Sequence, residues 1–266
     1  MSDLDQRDPA ALAAVLPFLR LAMKGWFRSD VRGMENVPDG GALMVGNHSG
    51  GLLAMDVPII AVAFTETFGT DRPLYCLAHD LLFTGSGDAL FRKYGFVPAN
   101  RESALRVLGE GAVTIVFPGG DYDVFRPTSK ASVIDFNGRT GYVRTALEAG
   151  VPIVPVVSHG GQEAQLHLTR GELLARLFRL RAVLRTDLFP ISFGFPFGLT
   201  AAFPPNLPLP TKIVTEVLDP IDPATVLGPR VKYPERHVDK IDRLVRERMQ
   251  EAVSALAARR RFPVLG

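Results

Sequence analysis

Four short blocks hold the residues that could do chemistry. In the first, Asn47-His48-Ser49-Gly50-Gly51 follows an apolar run, Ala42 to Gly46, and Asp56 lies eight positions beyond His48. An imidazole paired with a carboxylate makes a general base: the acid fixes the tautomer and stabilises the imidazolium that forms. The glycine pair lets the chain bend far enough for the two to meet. Asp56 has a second natural role, as N-cap of the helix begun by Val57-Pro58, and one carboxylate can serve both. In the second block, Phe117-Pro118-Gly119-Gly120-Asp121, two glycines let backbone N–H groups approach an oxyanion or a phosphate closely. The third, Gly95 to Arg101 (GFVPANR), sets the Arg101 guanidinium at a helix start, which suits an anionic group. The fourth, Val151 to Val156 (VPIVPV), is too apolar for chemistry and suits the lining of a site for an apolar chain.

The elements that must position these blocks alternate along the chain. Strands are read at Ala42–Gly46, Leu74–Leu77, Ala112–Phe117, Val151–Val157 and Lys212–Leu218, each apolar and bounded by turn signals. Helices are read at Val57–Phe68, Asp80–Tyr94, Arg101–Gly109 with Asn100 as its cap, and Arg139–Ala149. Over Pro234–Arg260, Val238, Ile241, Val245, Met249, Ala252 and Leu256 recur at spacings of three and four, the mark of an amphipathic helix. Strands and helices in alternation predict a single α/β domain over residues 31–266, with a central, largely parallel or mixed sheet flanked by helices. Residues 1–30 read as an N-terminal amphipathic helical segment close to a membrane. A polar cluster just past a core strand is where such folds place their sites.

Composition narrows the function. The chain has 266 residues, is 47% hydrophobic and carries 30 basic against 28 acidic residues, so a polybasic nucleic-acid binder is excluded. Its single cysteine, Cys76, rules out an internal disulfide and points to a reducing compartment. No run reads as a membrane span. The uncharged stretch Leu188–Thr211 is broken by six prolines, and Ala10–Trp26 by Pro17, Arg20 and Lys24. No Gly-x-Ser-x-Gly elbow supports a serine hydrolase, and no His-x-His or His-Glu-x-x-His spacing supports a metal site.

Taken together and in this order, the four blocks resemble the glycerolipid acyltransferase family, the lysophospholipid and acylglycerol O-acyltransferases. The resemblance runs from about Val31 to Val157 and extends to the flanking Arg32–Pro38 and Phe203–Ile221. It implies direct transfer of a fatty acyl group from a thioester, acyl-CoA or an acyl carrier protein, to a glycerolipid hydroxyl, with no cofactor. His48 is then the base and Asp56 its orienter. Backbone N–H groups at Gly119 and Gly120 bind the oxyanion, and Asn47, Ser49, Phe117 and Pro118 fall among the substrate-binding residues. Arg101 holds an acceptor phosphate, which favours a lysophospholipid-type acceptor on the ground that a buried guanidinium needs an anion. Two departures stand out. Seven residues separate His48 from Asp56 where the family has four, and Gly119 stands where the family most often has Glu. Phe-Pro-Gly-Gly looks more like the mono- and diacylglycerol acyltransferase branch, with Asp121 or Asp123 as the replacement acid.

Aromatic and basic residues adjoin in two places. Phe189, Phe193, Phe195, Phe197 and Phe203 crowd the uncharged stretch, with Arg170, Arg176, Arg179, Arg181 and Arg185 just upstream. Leu16, Phe18, Leu19, Leu21, Trp26 and Phe27 lie beside Arg20, Lys24 and Arg28. Such mixtures suit the headgroup boundary of a bilayer, so the expected location is cytoplasmic, peripherally on the inner face of a membrane. The competing readings are a neutral mono- or diacylglycerol acyltransferase and a catalytically inactive lipid-binding protein of the same fold.

Overall fold

The computed structural model describes residues 6–51, 53–85, 87–180, 182, 187–201, 203–228 and 234–266. Arg181 and Arg185 of the basic segment lie outside the described residues, as do the first five residues of the N-terminal segment. Ten strands are present among the described residues: β1 (Asp30–Arg32), β2 (Ala42–Gly46), β3 (Leu74–Ala78), β4 (Phe96–Pro98), β5 (Val113–Val116), β6 (Ile153–His159), β7 (Leu166–Thr169), β8 (Ile191–Gly194), β9 (Gly198–Ala201) and β10 (Val214–Val217). Seven form one mixed sheet in the order β1-β10-β6-β2-β5-β3-β4, in which only the β10–β6 pairing is antiparallel. The expected single-domain α/β architecture is therefore present. A second sheet, β7-β8-β9, is small and wholly antiparallel.

The helices are α1 (Pro9–Arg20), α2 (Asp56–Phe68), α3 (Gly87–Lys93), α4 (Arg101–Gly109), α5 (Gly120–Val124), α6 (Gly141–Ala149), α7 (Glu172–Leu177), α8 (Pro223–Leu227) and α9 (Glu235–Arg259). Side chains alternate across the sheet with period two, so each strand feeds two cores. Leu43, Val45, Ile153 and Val157 meet Val143 and Ala146 of α6 and the apolar stripe of α9. Met44, Ile115, Val154 and Val156 meet Ile60 and Phe64 of α2 on the opposite face. The α9 stripe is the one its spacing predicts, with Val238, Ile241, Val245, Met249 and Leu256 all buried.

Two expectations change. The helix read over Asp80–Tyr94 is a 3-10 turn, Asp80–Phe83, followed by α3, because Gly85 takes a left-handed conformation between them. The Val-Pro block is the fully buried strand β6, paired on both edges with β2 and β10, so it lines no site for an apolar chain. The proline-rich stretch Leu188–Thr211 contains β8 and β9. The N-terminal segment is helical as expected, with α1 capped by Asp8 and continued by a π-helical turn, Leu21–Trp26. Met23 and Phe27 anchor it against Ile59, Val62 and Ile213.

One polar contact ties the α9 core to α6. The Tyr142 hydroxyl donates to Asp242 at 2.8 Å, and Arg246 donates to the other carboxylate oxygen at 2.8 Å. Burial pushes the Tyr142 hydroxyl pKa upward, with the Asp242 charge adding to the effect. Tyr142→Phe should lower the unfolding free energy by about 1–3 kcal/mol, because it leaves a buried acceptor without its donor. Urea denaturation measures it, and an unchanged midpoint would mean that Arg246 alone satisfies Asp242.

Candidate active site

β2 delivers the first block to the C-terminal end of the parallel strands. Gly46 must be glycine here: a Cβ would sit 2.7 Å from the Phe117 ring. That ring stacks flat against His48, centroids 3.9 Å apart and planes 10° from parallel. The Asn47 amide accepts from the Ser158 N–H and donates to the Ser158 carbonyl, both at 2.9 Å, which locks the end of β2 to β6.

His48 and Asp56 do meet. Nδ1 lies 2.7 Å from Asp56 Oδ2, and the Asp56 side chain has 0% of its surface exposed. The other Asp56 oxygen accepts from both the backbone N–H and the hydroxyl of Ser49, each at 3.2 Å. Asp56 is the first residue of α2 and does not cap it; Met55 holds the cap position without a side-chain bond. With Nδ1 engaged, Nε2 is the ring nitrogen left for a substrate proton.

The longer loop closes because Gly50 and Gly51 both take positive φ, 98° and 79°. It is braced from the segment after β6. Gln162 accepts from the Gly50 N–H, and Gln165 donates to the Gly50 carbonyl at 3.2 Å. A Cβ on Gly51 would come within 2.3 Å of Gln165 Nε2 and 2.8 Å of His167 Cε1. Sequence reasoning missed these braces, since glutamines beyond the fourth block carry no chemical signature.

It also missed a clamp on the His48 backbone. The His48 N–H donates to Asp123 Oδ2 at 2.6 Å, and Arg126 Nη2 donates to the His48 carbonyl at 3.0 Å. Asp123 and Arg126 are ion-paired with side chains 1% exposed. Burial pushes the Asp123 carboxyl up to about 6, against the opposing pull of Arg126. Of the two candidate replacement acids, Asp123 is the one at the site. A Cβ on Gly119 would lie 2.4 Å from Asp123 Cβ, so glycine at 119 is what admits Asp123. Asp121 is exposed and pairs with Arg139 at 2.9 Å.

The Pro118–Gly120 turn is held by Arg139, whose Nη1 donates to the Gly119 carbonyl at 2.8 Å and the Pro118 carbonyl at 3.3 Å. The Gly120 N–H is donated to the Phe117 carbonyl at 3.0 Å, so of the two expected oxyanion donors it is already engaged. Arg101 begins α4, where Asn100 accepts from the Ser103 N–H as the cap signal predicts. The Arg101 side chain is 67% exposed and bonds Glu148 through Nε at 2.8 Å. It is therefore not the buried guanidinium in need of an anion that the sequence suggested. Arg101, Arg139, Arg144 and Glu148 line a cleft of about 930 Å³ that also includes Pro118 and Tyr142. The Arg144 partner is Glu235.

Arg126→Met should cost about 3–5 kcal/mol, since it leaves Asp123 buried without a countercharge. Adding Asp123→Asn should recover part of that loss in urea denaturation; a double variant no better than the single would break the pairing argument. His167 gives a pH test. Its ring nitrogens are both buried without a partner, and burial, with Arg126 nearby, pushes its pKa down to about 4. Between pH 6.5 and 4 the unfolded chain therefore binds a proton that the folded one refuses, and stability falls as pH falls. The wild type should lose about 3 kcal/mol over that window that His167→Leu does not lose.

A family model described as Acyltransferase matches residues 28–159, from just before β1 to the end of β6. An uncharacterised protein of Mycobacterium tuberculosis is 36% identical over 94% of this chain and 67% of its own length. The mouse protein named DGAT1/2-independent enzyme synthesizing storage lipids is 24% identical over 73% of this chain and 56% of its own. The chain thus spans about two thirds of the mycobacterial relative and just over half of the murine one. Among solved structures, the 1-acyl-sn-glycerophosphate (LPA) acyltransferase PlsC of Thermotoga maritima aligns with a TM-score of 0.55 at 23% identity, covering 93% of this chain and 81% of that one, which bears on the fold. With the match beginning before the dyad strand and ending at β6, and a relative above one-third identity along nearly the whole chain, this protein belongs to the acyltransferase family.

Proposed function

We propose that the chain moves a fatty acyl group from an acyl thioester, with acyl-CoA the first donor to test, to a hydroxyl of a glycerolipid. The observation that carries this reading is the 2.7 Å contact between His48 Nδ1 and a fully buried Asp56. Nε2 removes the acceptor hydroxyl proton as the oxygen attacks the thioester carbonyl, and Asp56 stabilises the imidazolium. The Gly119 N–H is the remaining backbone donor of the turn for the oxyanion. When the tetrahedral intermediate collapses, the C–S bond breaks and His48 returns its proton to the departing thiolate. Ser49 bonds Asp56 and serves as a positioning residue in this reading, which takes transfer to be direct. Asn47, bonded to Ser158, positions His48 in the same way, and Phe117 supports the ring.

For the acceptor, three arginines around one cleft favour a phosphate-bearing, lysophospholipid-type molecule, whose phosphate displaces Glu148 from Arg101. The neutral acylglycerol reading is favoured by the same pair seen the other way: Arg101 already has its counterion. The name of the murine relative supports it too. Within the described residues no helix is long and apolar enough to cross a membrane. We place the enzyme peripherally, on the cytoplasmic face.

The test is mass spectrometry of products from long-chain acyl-CoA with a pool of lysophospholipids, monoacylglycerol and diacylglycerol. His48→Ala should reduce product formation by about 10²–10⁴-fold. Arg101→Gln should raise KM for a phosphate-bearing acceptor about tenfold or more and leave a neutral one unaffected. Product from neutral acceptors alone would move the assignment to the second reading. Bound lipid with no product from any acceptor would leave a lipid-binding protein.

A further inference from the structure

The small sheet is inside out. Its register pairs Leu166 with Phe193 and Phe193 with Leu199, and the three side chains are 46%, 54% and 66% exposed. The neighbouring row pairs His167 with Ser192 and Ser192 with Thr200. Paired residues in an antiparallel ladder share a face. One face is therefore an apolar row turned to the outside, and the other is a polar row turned to the protein. On the polar side Ser192 and Thr200 share a hydrogen bond at 3.2 Å, and the fully buried Asn206 donates to Thr200. A soluble sheet arranges these two rows the other way round.

The apolar row continues past the sheet. Phe195, Phe197 and Phe203 are exposed in the adjoining turns, and no residue from Leu188 to Thr211 carries a charge. At its margin the Trp26 indole donates to the Pro208 carbonyl at 3.2 Å, which joins the exposed side of the N-terminal segment to this surface. At another margin α7, fed by β7, exposes Leu173 and Leu177 beside Arg176. Arg179 follows directly and is also exposed.

We propose that the outer face of this sheet docks on a lipid surface bearing anionic headgroups. The aromatic row enters the acyl boundary while Arg176 and Arg179 meet headgroup charge. A patch of this kind is larger and more aromatic than scattered surface leucines, and its basic margin complements an anionic bilayer. The proposal rests on the reading that the acceptor is a lipid, and it names the face through which that lipid's membrane is met.

Flotation with vesicles of phosphatidylcholine, with and without phosphatidylglycerol, tests it in the absence of any acyl donor. The triple variant Leu166→Thr, Phe193→Thr, Leu199→Thr keeps strand-forming residues and should bind at least about tenfold more weakly. Phe197→Ser, which lies in a turn, should weaken binding alone should the triple variant fail to fold by circular dichroism. Arg176→Gln with Arg179→Gln should weaken binding only to vesicles that contain phosphatidylglycerol. Wild-type protein that does not float, or apolar-row variants that float equally well, would overturn the proposal. So would a lipid-free dimer that the triple variant splits, since a second copy would then be the occupant. Vesicle binding without acyl transfer would sink the function reading alone; transfer between soluble substrates without vesicle binding would sink this one alone.

Discussion

Asp56 has no exposed surface, so each of its oxygens must find a donor inside the protein. That single requirement shapes the site. One oxygen takes His48, the other takes Ser49 twice, and the chain between them must turn tightly enough to bring both to the same carboxylate. A side chain at Gly51 would strike Gln165 and His167, and a side chain at Gly50 would come within 3.0 Å of the Gly161 carbonyl. Gly50 and Gly51 pack against the segment that follows β6, and the dyad distance is that of a direct hydrogen bond.

The imidazole is held from a second direction by its own backbone. Asp123 and Arg126 grip the N–H and the carbonyl of His48, so the residue cannot shift without breaking both of its hydrogen bonds to a buried ion pair. The same pair explains the change in the second block. Glutamate at 119 and aspartate at 123 would compete for one volume, because even a Cβ at 119 collides with Asp123. Glycine at 119 and a buried carboxylate at 123 are thus one change seen at two positions. Asp121, also a carboxylate and closer to the turn, is exposed and meets Arg139.

Much of this was legible in the sequence and some of it could not be. The apolar runs of β2, β5 and β6 stand out because central strands buried on both faces need unbroken hydrophobic stretches. The stripe of α9 stands out because 3.6-residue periodicity survives over a long helix. His48 and Asp56 were legible through the order of the four blocks taken together, since Asp56 alone read equally well as the cap of the helix that follows it. Arg126, Gln162 and Gln165 were not: their roles depend on contacts 36 to 115 residues apart in the chain. The burial of Arg101 was misjudged for the same reason, since its partner Glu148 lies on a different helix. Three-residue strands such as β1 and β4 leave too short a pattern to read. In Leu188–Thr211 the prolines hid β8 and β9, and the pattern that remained, apolar outward and polar inward, is the reverse of the one a reader looks for.

That reversal links the outer surface to the chemistry. The polar row of the small sheet cannot face solvent and brace the dyad loop at once, so orienting it inward turns the apolar row out. Gln165 and His167 belong to the inward side, and both lie against Gly51. The sheet's underside thus holds the loop that carries His48 and Asp56, while its upper side is the face assigned to lipid. Were that face to meet a bilayer as proposed, the loop that carries the dyad would lie beneath the docked sheet. Four of the seventeen phenylalanines, Phe193, Phe195, Phe197 and Phe203, stand exposed on or beside this face, in a stretch from Leu188 to Thr211 that carries no charge.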